Sequence, residues 1–260
     1  MRHENPQQVV VFGAAGWVGR AVLANFQGRH RLRAADHGAQ AWTTYAEVDG
    51  TWTDGEVLNC DIADYDQVRA AIDGMDAVIH TAVLGTGYQP GDDDPWLINV
   101  KGLWNVLDVA RDLEIHRVVH IGSAPVVHPE GRFFDSDVRR TDGSLYAVNK
   151  RLQEEMCRQF HEAFGMSIVV LRPCSIVDSR LGMSKYGKPL QQQDVGSVCR
   201  HDLAQACRLA IEVEGIGFEV LHIAGLPQAE QHCNVARGRQ VLGLEYEADL
   251  LRFGAGSSPD

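Results

Sequence analysis

The sequence predicts an α/β protein built on a doubly wound parallel sheet. Short, almost wholly apolar, β-branched runs alternate with amphipathic helical stretches, the pattern of a parallel sheet covered on both faces. The first of these runs also leads straight into a glycine-rich turn, "FGAAGWVGRAV" at residues 12–22, which opens a helix.

The elements follow in order. "QQVVVFG" (7–13) reads as the first strand, and "WVGRAVLANFQ" as a helix with Val18, Ala21, Val22 and Phe26 on its apolar side. "RLRAAD" (31–36) and "EVLNCD" (56–61) are the second and third strands. Between them, residues 37–55 carry two Trp and one Tyr and are expected to form a loop or small hairpin that packs. "YDQVRAAIDGM" is a short helix and "DAVIHTAV" (76–83) the fourth strand. Residues 94–113 form a long helix with Asp94 as its N-cap and Pro95 at its first position. "RVVHIGS" (117–123) is the fifth strand, 144–165 a helix ended by Gly165, and "MSIVVLRP" (166–173) the sixth strand. A helix at 201–213, a last strand at 218–225 and a mobile tail complete the chain.

Composition removes several classes. The net charge of −11 gives no general attraction to nucleic acid, and no Lys/Arg block supplies one locally. No apolar run approaches the roughly 20 residues that span a bilayer. The N-terminal "MRHENPQQ" is polar and unlike a signal peptide, so a cytoplasmic protein is expected. None of the six cysteines forms a CxxC pair; they read as reduced packing residues, and no metal site is expected. The run "GDDDP" (91–95) reads as a solvated loop.

Gly13, Gly16 and Gly19 have distinct uses at a strand–helix turn. Gly13 permits the tight turn, Gly16 lets a pyrophosphate approach the backbone, and Gly19 lets the helix pack close to the sheet. The free N–H groups at the helix start favour an anion. The second strand ends at Asp36, where a carboxylate can accept both ribose hydroxyls of an adenosine and repel a 2′-phosphate. The cofactor expected is therefore NAD rather than NADP, with Arg33 keeping NADP open; Asp61 would lie near the adenine amino group. The chain reads as one domain, 1–260. Its NAD-binding core is 1–172 plus 218–225, and a small substrate lobe is 173–217 and 226–260.

"YAVNK" puts the Tyr146 phenol and the Lys150 ammonium on one helix face. The ammonium should lower the phenol's pKa and make it a proton acceptor from an alcohol. Ser123, at a strand end, can hydrogen-bond the reacting oxygen.

With these in place the sequence resembles the extended short-chain dehydrogenase/reductase superfamily, the NAD-dependent epimerase/dehydratase branch, on a Rossmann fold. The resemblance runs in order through "GAAGWVG" (13–19), Asp36, "DAVIHTA" (76–82), "NVKGLWNVLDVA" (99–110), "VVHIGSA" (118–124), "YAVNK" (146–150), "VVLRP" (169–173) and "RHDLAQA" (200–206). It implies Tyr146 as general acid/base, Lys150 as its pKa-lowering partner and ribose ligand, and Ser123 as substrate-orienting. The cofactor set it implies is Gly13, Gly16, Trp17, Val18, Gly19, Asp36, Asp61, Ile62, Thr81, Ala82, Val83, Asn99, Tyr146 and Lys150. Within it, Asn99 is expected to steady its helix rather than do chemistry. The substrate set is Ser123, Ala124, His128, Ser175 and Arg180.

Three features depart from members acting on nucleotide sugars. "GSAPVVH" has Val127 and His128 where Tyr-Gly is usual, and "RPCSIVDSR" has Ser175 for Asn and Asp178 for Gly. Residues 151–260 are also a small allotment for binding a nucleoside diphosphate with its sugar. The chain looks like the compact uronate dehydrogenases too, with Arg180 as the cation for a substrate carboxylate. The expected activity is hydride transfer at a carbinol carbon of a sugar or sugar acid. The alternatives are a nucleotide-sugar epimerase or dehydratase with recycled NAD, and a non-catalytic dinucleotide sensor. A homodimer is expected through helices 94–113 and 144–165, using Leu97, Trp104 and Leu107.

Overall fold

The computed structural model describes residues 7–124, 142–231 and 233–254. The chain begins with β1 (Gln8–Phe12), α1 (Trp17–Phe26) and β2 (Arg31–Asp36). It continues through α2 (Ala46–Asp49), β3 (Glu56–Asn59), α3 (Tyr65–Ile72) and β4 (Ala77–His80). Helix α4 (Gly102–Asp112) prolongs a π-helical turn, Trp96–Lys101, and leads to β5 (Arg117–Ile121), α5 (Leu145–Phe164) and β6 (Ile168–Pro173). Three short strands follow, β7 (Ser175–Asp178), β8 (Met183–Ser184) and β9 (Ser197–Cys199), then α6 (Arg200–Glu212), β10 (Phe218–Ile223) and α7 (Val235–Leu242).

Seven strands form one parallel sheet in the order β3-β2-β1-β4-β5-β6-β10. The chain moves outward one way from β1 and the other way from β4. A crevice must therefore open at the carboxyl ends of these two strands, the topological switch point. The strand side chains alternate between two cores. Val9 and Val11 pack with α1 and α6, while Val10 and Phe12 pack with α3, α4 and α5. That double burial is why the central strands read as continuous apolar runs. Arg117, buried at the start of β5, donates to the carbonyls of Ala210 (2.8 Å) and Val213 (3.1 Å) and so caps the end of α6.

Local chemistry sets the helix ends. Asp64 accepts from the N–H groups of Asp66 and Gln67 at the start of α3, and Ser144 from that of Ala147 at the start of α5. Gly165 ends α5 with φ +69°. The helix expected to start after an Asp94 cap begins one residue earlier, at Asp94 itself, and its first turn bonds to the Asp93 carbonyl.

Residues 37–55 form no hairpin. A 3-10 turn (Ala39–Thr43) and α2 take its place, because buried donors need carbonyls that a hairpin ladder would consume. Arg20 on α1 donates to Trp42 O and Gly50 O, both at 2.7 Å, and its guanidinium lies 4.7 Å from the Trp42 ring centre. Trp42 in turn stacks with Trp52. The small sheet β8-β7-β9 and helix α7 lie outside the strands and helices expected from periodicity, being too short to carry it.

Candidate active site

The switch point opens into a cleft of about 1020 Å³ running from the glycine turn to Tyr146. Gly13 (φ +75°) turns the chain off β1, and a Cβ there would meet Ala82 N at 2.6 Å. A Cβ on Gly19 would meet Gly13 O at 2.1 Å, so Gly19 is a packing glycine and does not line the cleft. Gly16, Trp17 and Val18 do line it. The N–H groups of Trp17 and Val18, in the first turn of α1, have no acceptor within the helix and suit an anion. The Thr81 hydroxyl ties the end of β4 to the turn through Phe12 O (2.8 Å) and Gly13 O (3.0 Å).

Asp36 sits at the far end of the cleft. Its carboxylate accepts from Ala15 N on Oδ2 and from His37 N on Oδ1, and the His37 Nδ1 also lies against Oδ1, each at 2.8 Å, which leaves an Oδ2 lone pair for a ribose hydroxyl. Asp61, Ile62, Ala82 and Val83 also border the cleft. Arg33, which left NADP open, is spent elsewhere. It bonds Glu56 (2.7 Å) and the carbonyls of Ala71 (2.9 Å) and Asp73 (2.8 Å), outside the cleft. The donors and the acid fit a dinucleotide with a free 2′-hydroxyl.

Tyr146, Lys150 and Ser123 meet at the other end. The Ser123 hydroxyl is hydrogen-bonded to the Tyr146 phenol. Burial pushes that phenol up, against a downward pull from Ser123, which reverses the direction expected from Lys150 alone. Lys150 donates to Ile121 O at 2.8 Å, and burial pushes its ammonium down to about 7. Burial thus loosens the ammonium's hold on its proton, and Lys150 is not among the groups that move the phenol. Beside it, the fully buried His80 and His120 on adjacent strands share a hydrogen bond, Nδ1 to Nδ1, at 3.0 Å. Burial, then the Lys150 charge, pushes His80 down to about 3 and His120 well down, so both are neutral. A phenol, a hydroxyl and a buried amine in contact with one cleft can exchange a proton with an alcohol.

Asn99 does not line the cleft. Its amide accepts from Leu84 N (2.8 Å) and donates to Leu84 O (3.0 Å), pinning the segment that follows β4. The widened π turn around it frees the carbonyls of Pro95 and Asn99, which accept from Asn149 and Gln153 of α5. Asn99 thus supports the site from below.

The substrate residues divide. Ser123 and Ser175 line the cleft, and Ser175 donates to Asp194 at 2.5 Å. Ala124 is buried behind it. Arg180 is exposed and outside the cleft, because Asp178 holds the Arg180 N–H at 2.8 Å and turns the chain there. His128 lies outside the described residues. Periodicity gave no signal for Tyr45, Cys174, Lys185 and Tyr186, which also line the cleft. The six thiols are free, and burial pushes that of Cys174 up to about 12. Among the described residues, no helix is long and apolar enough to cross a membrane.

Fold and cleft together define a nucleotide-binding α/β protein with a Ser–Tyr–Lys constellation. Residues 9–188 match the family described as the NAD dependent epimerase/dehydratase family, and the chain belongs to it. It is 24% identical over 167 residues to a uronate dehydrogenase from Pseudomonas syringae pv. tomato, a match spanning 64% of this chain but only 58% of that protein. It is 28% identical to an NAD-dependent glucose-6-phosphate dehydrogenase from Haloferax volcanii, over 95% of both chains. Among solved structures, uronate dehydrogenase from Agrobacterium tumefaciens superposes with a TM-score of 0.74 at 22% identity, covering 98% of this chain and 91% of that one. UDP-glucuronic acid 4-epimerase from Bacillus cereus gives 0.73 at 17% identity, with 94% of each chain covered.

Proposed function

We propose that the protein is an NAD-dependent dehydrogenase oxidising a carbinol carbon of a small sugar or sugar acid. The observation that carries this is the convergence of Ser123, Tyr146 and Lys150 in the same cleft as the glycine turn and Asp36. Bound NAD would supply the hydride acceptor. Asp36 would accept the adenosine ribose hydroxyls and disfavour a 2′-phosphate. Ser123 would hold the substrate hydroxyl against Tyr146, whose phenolate form takes its proton as the carbonyl forms. Lys150 would bind the nicotinamide ribose and, in its protonated form, favour the phenolate. Since burial raises the phenol's pKa, proton uptake should improve as pH rises.

Net oxidation of a free sugar derivative is favoured over epimerisation by the two named relatives, a uronate dehydrogenase and a glucose-6-phosphate dehydrogenase. Substrate choice would fall to residues 173–217 and 226–260, whose small sheet borders the cleft. The test is incubation with NAD and a panel of uronic acids, aldoses, glucose 6-phosphate and UDP- or dTDP-sugars. Stoichiometric NADH with a free sugar derivative is the expected result. An isomerised or dehydrated nucleotide sugar without net NADH would replace this reading. The free, mostly buried thiols fit a reducing compartment, and we place the protein in the cytoplasm.

We also propose a homodimer through α4 and α5. Leu107 is fully buried against the sheet and has no part in it, but Trp96, Trp104 and Leu152 are each at least 40% exposed. Trp104→Glu should convert a dimer to monomer by sedimentation equilibrium while leaving the fold intact. A wild-type chain that is already monomeric at micromolar concentration would end the proposal.

A further inference from the structure

The glycine turn presents N–H groups to an anion but no side-chain cation. Arg20, next in sequence, is buried and committed to Gly50 O and Trp42 O, and it does not line the cleft. Arg200, beneath Trp17, is buried and bonded to Asp49 and Asp178. The carboxylates bordering the cleft are Asp36, Asp61 and Asp94. Among the described residues that line it, the only Lys or Arg side chains are Lys150 and Lys185. Lys150 is buried at the Tyr146 end, which leaves Lys185 for the two negative charges of a cofactor's diphosphate.

Lys185 sits in a small hairpin at residues 183–189, closed by an antiparallel bridge between Met183 and Pro189 and by Ser184 N donating to Lys188 O (2.8 Å), with Gly187 turning at φ +73°. Its first strand, β8, pairs antiparallel with β7 through the 179–182 turn. That turn is fixed, because the buried Asp178 on β7 accepts from Arg200, Arg180 N and Leu181 N. Lys185 and Tyr186 line the same cleft as Tyr45 and Tyr146. Tyr45 packs on Trp17 of the glycine turn, with ring centres 5.2 Å apart. The Lys185 ammonium lies 4.9 Å from the centre of the Tyr186 ring. Among the described residues it has no carboxylate within ion-pair reach.

We propose that this hairpin is the second half of the dinucleotide site, with Lys185 supplying the counter-charge to the cofactor's diphosphate and Tyr186 covering it. The inference rests on the reading of the cleft as an NAD site. It assigns Lys185 to the cofactor, leaving the space near Leu97, Cys174 and Ser175 for the substrate.

The test is calorimetric titration of the wild type, Lys185→Gln and Lys185→Arg with NAD and with ADP-ribose, which shares the diphosphate. Lys185→Gln should weaken both ligands about five- to tenfold, and Lys185→Arg should stay within about twofold of wild type. Raising sodium chloride should weaken the wild type more than Lys185→Gln. Thermal melting of the free proteins should be unchanged, since the tip is exposed. If Lys185→Gln binds both ligands as tightly as wild type, the inference is wrong; a raised KM for the sugar alone would then move Lys185 to the substrate. A wild-type protein that binds neither NAD nor ADP-ribose would overturn the cofactor reading and this inference with it.

Discussion

Tyr146→Phe should lose about a hundred- to ten-thousandfold in kcat while binding NAD within about twofold of wild type. The substitution removes one oxygen. Its ring continues to pack beside Gly85, whose Cβ position lies 3.5 Å from it, so the cleft keeps its shape. What disappears is the group that takes the substrate's proton. Ser123→Ala separates position from chemistry. The Ser123 hydrogen bond holds the Tyr146 phenol lower than burial alone would, so without it the phenol titrates higher. The rising limb of kcat/KM against pH should therefore move to higher pH in Ser123→Ala, with a smaller loss at its own optimum. Steady-state kinetics between pH 6 and 10 and a direct NAD titration read both effects. An active Tyr146→Phe protein would remove Tyr146 from the proton-transfer role.

The cofactor half of this site was legible in the sequence because backbone constraints write themselves into residue type. Gly13, at positive φ, has no room for a Cβ beside Ala82 N, and Gly19 has none beside Gly13 O, so only glycine fits either place. Nearly continuous apolar strands likewise announce a sheet covered on both faces. The substrate half was not legible, for a different reason. Arg180 was chosen by its place in a motif, but whether a loop side chain faces a cleft depends on tertiary anchors far away in sequence. Here Asp178 and Arg200 set the hairpin, sending Arg180 outward and Lys185 inward. In residues 37–55 the sequence pointed to packing, but the choice between loop and hairpin was not legible for the same reason. Their shape is dictated by Arg20 and Arg200 reaching across from two helices, and periodicity carries no trace of that.

Asp178→Ala should destabilise the protein by about 3–5 kcal/mol at pH 7, the loss expected when one partner of a buried ion pair is removed. Arg200 is 2% exposed at its side chain and Asp178 is wholly buried, with Nε to Oδ2 at 2.7 Å. The guanidinium also lies 4.0 Å from the Trp17 ring centre and bonds Asp49, so it ties the glycine turn, the 37–55 segment and the hairpin together. Without Asp178 the positive charge keeps one carboxylate partner and cannot move to water. Burial alone would raise the Asp178 carboxyl, but hydrogen bonds from His201, Leu181 N and Arg200 outweigh it and hold it well below the usual carboxylate range. A carboxyl lowered in the folded state contributes stability above its unfolded pKa, near 4, and loses it as pH falls further. The gap between wild type and Asp178→Ala should thus be full at pH 7 and narrow in urea titrations as pH drops below about 4. Because the same carboxylate roots the hairpin, Asp178→Ala should also weaken NAD binding, whereas Lys185→Gln weakens it with no loss of stability. An Asp178→Ala protein as stable as wild type at pH 7 would show that Asp49 alone satisfies Arg200. The Asp at this position would then be a tolerated departure from the family's glycine rather than the anchor of the hairpin.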